Sequence, residues 1–118
     1  MLPASVRILV CTSPQDLRRS FDGLALVARE LLGEDPQSGA IFCFANRRMN
    51  RIKLLWFDRS GYCLLYKRMH AARVCWPLGA STPKGARVID AAALHALLAG
   101  VPSPRNAQKR SRKLLLSA

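Results

Sequence analysis

The chain has 118 residues, half of them hydrophobic, enough for one small domain with a modest core and too apolar for wholesale disorder. Nineteen Lys and Arg against seven Asp and Glu give a formal net charge of +12. Such a surplus favours a polyanionic partner, because each phosphate neutralised releases condensed counterions. No apolar run approaches the ~18–20 residues that cross a bilayer, and the N-terminus lacks the charged-then-apolar layout of a secretory signal, so a cytoplasmic protein without a membrane partner is expected.

Ser5 to Cys11 is β-branched and apolar, bounded by Pro3 and Pro14, and predicts a first strand. Ser13-Pro14 offers a helix start, with Asp16 three residues after Ser13 to return the capping interaction. Leu17, Phe21, Leu24, Ala28 and Leu31 then recur on one helical face, and Gly33 suits the C-cap. Gly23 is the weak point of that helix, where it breaks or restarts with Ser20 as a new cap. The stretch from Glu34 to Gly39 is a loop by composition.

Three strand-like runs follow, Ala40–Ala45, Arg51–Asp58 and Tyr62–His70. The last two are joined by Arg59-Ser60-Gly61, with Gly61 in the left-handed position of a three-residue turn. In that register Ile52, Leu54 and Trp56 share a face with Leu64 and Tyr66, and Lys53 stands across from Lys67 on the other. Two like charges so placed are destabilising unless an anion sits between them. Ala72–Trp76 suggests a short edge strand, Leu78–Arg87 a loop, and Asp90 the cap of a helix over Ala91–Ala99 ended by Gly100. The order predicts an α+β domain over residues 1–101. Its antiparallel sheet has four to five strands, with an N-terminal helix and a short C-terminal helix on one face. Residues 102–118 are expected to form a basic, disordered tail.

The charge is unevenly placed. Residues 47–73 hold eight Lys and Arg and only one acid, and residues 105–118 add five more bases. Aromatic residues interleave with the central block, which suits phosphate neutralisation with base stacking at any exposed ring. Arg47, Arg48, Arg51, Lys53, Lys67 and Arg68 are the candidate DNA contacts, the Arg47-Arg48 turn first among them. For Trp56 and Tyr66, core packing is the expectation. No helix-turn-helix or zinc-finger spacing is present.

Catalytic signals are poor. The seven acids do not form a clear cluster for divalent ions; Glu34-Asp35 fits a polar loop beside a helix end. His70 and His95 have no nucleophile framework around them, and no phosphate-binding glycine loop is present. Cys11, Cys43, Cys63 and Cys75 include no C-x-x-C pair and read as reduced, buried thiols. No cofactor, catalytic or metal-ligating residue is expected.

D-L-R-R-S-F-D-G-L-A (16–25), L-L-G-E-D-P-Q-S-G (31–39) and I-F-C-F-A-N-R-R-M-N-R-I-K-L-L-W-F-D-R-S-G-Y-C-L-L-Y-K-R (41–68) carry a resemblance. They are similar to blocks of the TnpB-type accessory proteins, the second open reading frame products of insertion-sequence family sixty-six. W-P at 76–77 and the leucine-rich helix ending at Gly100 agree. The resemblance spans about residues 4–101 and implies an accessory role in DNA transposition beside a separate transposase that carries the acidic catalytic residues. Its family-like polar positions are Asp16, Arg18, Arg19, Asp22, Asn46, Arg47, Arg48, Arg51, Lys53, Asp58, Lys67 and Arg68. Where such proteins often have Gly-Asp, this chain has Met49-Asn50.

The expectation is therefore a non-catalytic, DNA-binding accessory protein whose partners are transposon DNA and the transposase. The alternatives are an adaptor that holds the transposase through an apolar face, and a metal-dependent nuclease subunit using Glu34 and Asp35.

Overall fold

The computed structural model describes residues 6–76 and 85–103. A five-stranded sheet is built from β1 (Ile8–Cys11), β2 (Ile41–Ala45), β3 (Arg51–Asp58), β4 (Gly61–Arg68) and β5 (Ala86–Ile89), in the spatial order β4-β3-β2-β1-β5. Helix α1 (Phe21–Glu30) connects β1 to β2, and α2 (Ala91–Ala99) follows β5. Two short segments, Ala72–Arg73 and Val101–Pro102, pair as a separate ribbon.

The α+β class and both helices match expectation, with three differences. First, β1 and β2 are parallel while the other pairs are antiparallel. A parallel pair requires a crossover, and α1 supplies it. Second, the helices lie on opposite faces. Leu24, Ala25, Val27 and Ala28 of α1 pack with Leu9, Phe42, Phe44 and Leu55, whereas Leu94 and Leu97 of α2 pack with Ile8, Val10, Ile41 and Leu54. All nine residues of β1 and β2 are therefore buried, and their unbroken apolar runs are those of strands covered on both sides. Third, Ala86–Ile89, half of it within the expected loop, pairs along the whole of β1. Residues 78–84 of that loop, and the tail beyond Ser103, lie outside the described residues.

Helix α1 begins at the restart point, with Ser20 at its N-cap, rather than at Ser13. Leu17 is buried before the helix, while Phe21 and Leu31 are exposed; Val27 and Leu32 take the inward places. Asp16 caps no helix. Its carboxylate accepts from the Arg18 backbone N–H and guanidinium, and these bonds hold it down at about 2. Gly33, at φ 64°, turns the chain so that the Glu34 N–H reaches the Ala28 carbonyl. At α2, Asp90 accepts from the Ala93 N–H at 2.8 Å, as expected of its cap.

Candidate nucleic-acid interface

The hairpin of β3 and β4 sets which basic side chains can act together. Its turn is two residues long, Arg59-Ser60, with Asp58 paired to Gly61. Arg59, not Gly61, takes the positive φ of 47°. The pairing is thereby shifted one residue from the predicted register: Lys53 faces Tyr66, and Lys67 faces Ile52. Because neighbouring positions alternate faces, Lys53 and Lys67 lie on opposite sides of the sheet.

Each of these lysines already has a backbone partner. Lys53 is 7% exposed, and its ammonium donates to the Arg19 carbonyl at 2.8 Å, just before α1. It also sits 4.9 Å from the centre of the Tyr66 ring. Lys67 donates to the Leu98 carbonyl in the last turn of α2, where an orphan acceptor and the helix dipole both favour a cation. One lysine pins each helix to the sheet, and no anion is needed between them.

The like-charge pair expected at Lys53 and Lys67 occurs instead at Arg51 and Arg68, which are direct cross-strand partners. The Met69 N–H bonds the Asn50 carbonyl at the adjoining pair, so Arg51 and Arg68 occupy the position without exchanged hydrogen bonds, where side chains stand closest. Both are exposed, and among the described residues neither joins an ion pair. Arg47 and Arg48 are exposed in the turn at the same end of the sheet. Asn46 shapes that turn, its side-chain oxygen accepting from the N–H groups of Asn50 and Arg51 at 3.1 and 3.0 Å. Met49 adopts φ 57° there, the conformation that glycine meets without strain. Of the six candidate contacts, Arg47, Arg48, Arg51 and Arg68 are thus gathered at one end, while Lys53 and Lys67 are engaged elsewhere.

A family model described as IS66 Orf2 like protein matches residues 6–108. The chain belongs to that family. Membership in the IS66 Orf2-like family points to an accessory role in transposition. Among similar proteins, the uncharacterized protein y4hO of Sinorhizobium fredii is 38% identical over 103 residues, covering 86% of this chain and 87% of its own. The uncharacterized protein y4jC of the same organism is 35% identical over 72 residues, covering 61% and 62%. No solved structure matches.

Glu34 and Asp35 of this IS66 Orf2-like protein have local duties. Glu34 pairs with Arg7 at 3.3 Å, and Asp35 accepts from the Gln37 N–H at 2.9 Å. Among the described residues, no three His, Cys, Asp or Glu side chains gather as a metal site would require. Cys11 and Cys43 are buried, and desolvation pushes the Cys43 thiol up to about 12. Cys63 is half-buried and Cys75 is exposed outside any strand, so the expectation of four buried strand thiols is corrected for these two. Among the described residues no helix is long and apolar enough to cross a membrane.

Tyr66 departs from its expected core role. It is 50% exposed on the edge strand, on the same face as Arg51 and Arg68. Its exposure was hidden in the sequence because the one-residue register shift decides it. The Lys53–Arg19 bond left no sequence signal, since its acceptor is a backbone carbonyl 34 residues away.

Proposed function

We propose that this protein is a non-catalytic accessory factor of transposition that holds DNA at the basic end of its sheet and so assists a separate transposase. Arg47, Arg48, Arg51 and Arg68 supply the phosphate contacts; Lys53 and Lys67 support them from within the fold. The observation that carries this reading is the Arg51–Arg68 pair. Two guanidiniums directly across a strand pair repel one another in the free protein, and a phosphate between them converts that repulsion into two charge-assisted contacts. Family membership supplies the pathway, and the net charge of +12 supplies the general attraction.

The test is binding to duplex DNA carrying the element's terminal repeats, against scrambled duplex, over a salt series. Arg47→Glu with Arg48→Glu weakens binding and flattens its salt dependence while the thermal melt stays nearly unchanged. Equal binding by wild type and variant removes this face from the account.

A second reading, an adaptor for the transposase, is favoured by a different feature. A groove of about 490 Å³ lies between α2 and the β3–β4 face, lined by apolar residues that include Leu54, Trp56, Leu65, Leu94 and Leu98. Co-purification with the transposase that survives high salt, together with no DNA binding at moderate salt, would put this reading first.

A further inference from the structure

The aromatic residues of the β3–β4 hairpin are not equivalent. Phe57 and Tyr62 satisfy each other, edge to face at 5.1 Å, beside the α1 core. Trp56 is half-buried toward α2. Tyr66 alone of these is an exposed ring, half its surface open, on a strand that ends the sheet.

Its neighbours are cationic across the strand and toward the basic end of the sheet, while Leu64 and Leu55 back it on the other side. Lys53 lies directly across, its ammonium 4.9 Å from the ring centre and held in place by the Arg19 carbonyl. One strand repeat further along the same face, about 6.8 Å by strand geometry, come Arg68 on the same strand and Arg51 opposite it. The alternation of the ladder also leaves the backbone N–H groups of Tyr66 and Arg68 turned toward the open edge of β4. They belong to the same set of pairs as Arg51–Arg68, which do not bond across to β3.

We propose that Tyr66 is a stacking platform for an unpaired DNA base, with Arg51 and Arg68 holding the phosphates that flank it. A ring that offers a π-face beside fixed cations is the combination by which single strands are held, because every base has a face to stack and every nucleotide a phosphate to neutralise. The bases of a closed duplex are stacked on one another and offer no free face. The site therefore takes a melted, gapped or single-stranded segment in preference to intact duplex. This rests on the DNA-binding reading above and narrows it to a strand type. Lys53 contributes without being displaced: its ammonium keeps its carbonyl partner and lends positive potential to one side of the ring.

The test uses the full chain and fluorescence anisotropy with three probes of equal length: labelled oligothymidylate, an abasic sugar-phosphate oligomer, and a duplex. Wild type binds oligothymidylate more tightly than the abasic oligomer. Tyr66→Ala lowers oligothymidylate affinity by about fivefold or more, the size of one stacked base, and leaves duplex affinity within about twofold. Tyr66→Phe, which keeps the ring and removes only the hydroxyl, retains the wild-type preference and guards against a folding artefact of the alanine variant. Equal affinity of wild type for oligothymidylate and the abasic oligomer overturns the stacking site while leaving DNA binding in place. So does a Tyr66→Ala variant that weakens single strand and duplex alike. Absence of salt-dependent binding to any of the three probes overturns the DNA-binding reading itself, and this inference with it.

Discussion

Exchanging Lys53 and Arg51 in turn for methionine separates a lysine that supports the fold from an arginine proposed to meet phosphate. Both are cations on one face of β3, two residues apart, and charge counting treats them alike. Each phosphate neutralised on duplex DNA steepens the log–log salt dependence by about 0.9, so a single contact changes affinity about 3.5-fold between 50 and 200 mM salt. Arg51 is exposed, so Arg51→Met flattens the slope by about 0.9 and leaves the melt unchanged or slightly higher, because a like-charge neighbour of Arg68 has gone. Lys53 is buried on the Arg19 carbonyl. Lys53→Met keeps the apolar stem but removes a charge-assisted hydrogen bond of about 1.5–3 kcal/mol, partly offset by the desolvation that the ammonium no longer suffers. A net loss of about 1–2 kcal/mol follows, lowering the melting temperature by several degrees in a domain of this size, with the salt slope unchanged. Anisotropy titrations at four salt concentrations and a thermal melt read both quantities. If Lys53→Met flattens the slope by a full contact and melts like wild type, the buried bond does not govern this lysine and the division of roles is wrong.

Gly100 and Gly61 form a second contrast. Gly100, at φ 69° and ψ −179°, occupies a region essentially restricted to glycine, and an added Cβ would stand 3.0 Å from the Arg73 carbonyl oxygen. Gly100→Ala therefore destabilises by about 1–3 kcal/mol, whereas Gly61→Ala, with open space around it, is neutral or mildly stabilising in a urea melt; equal effects would contradict the turn assignment. The cysteines give a third expectation. At neutral pH a thiol reagent labels Cys75 promptly, while Cys43, buried and shifted up to about 12, reacts only on unfolding. Prompt labelling of Cys43 in the folded protein would sink that ranking.

What the sequence disclosed depended on how local the deciding force was. The bounds of β3 and α2, the Asp90 cap and the Gly100 stop are set by neighbours within a few residues, and each was legible. The β3–β4 register was not, because it turns on whether Arg59 or Gly61 takes the positive φ, and glycine is the natural guess. The placement of α2 did leave a trace. I-L-V-C and I-F-C-F-A are unbroken apolar runs, the pattern of strands buried on both faces, and it argues against a sheet covered on one side. The strand Ala86–Ile89 is short and carries Arg87 between apolar residues, so only its pairing with β1 defines it. At the candidate interface the basic block was legible as charge. Which four of its six members share one end of the sheet was not, since two lysines are claimed by backbone carbonyls distant in sequence.

The pairing of β1 with β5 also orders events in time. Ile8 meets Ile89, so a strand made among the first residues waits for one made near the end of the domain. Meanwhile the β2-β3-β4 meander, whose contacts are close in sequence, is free to form first. A truncated product ending before Ala86 would keep the whole β3–β4 hairpin yet leave β1 with a bare apolar edge, open to pairing with any other unfinished chain. Such a shortened copy would lose solubility first, while the hairpin that carries Arg51 and Arg68 kept its pairing.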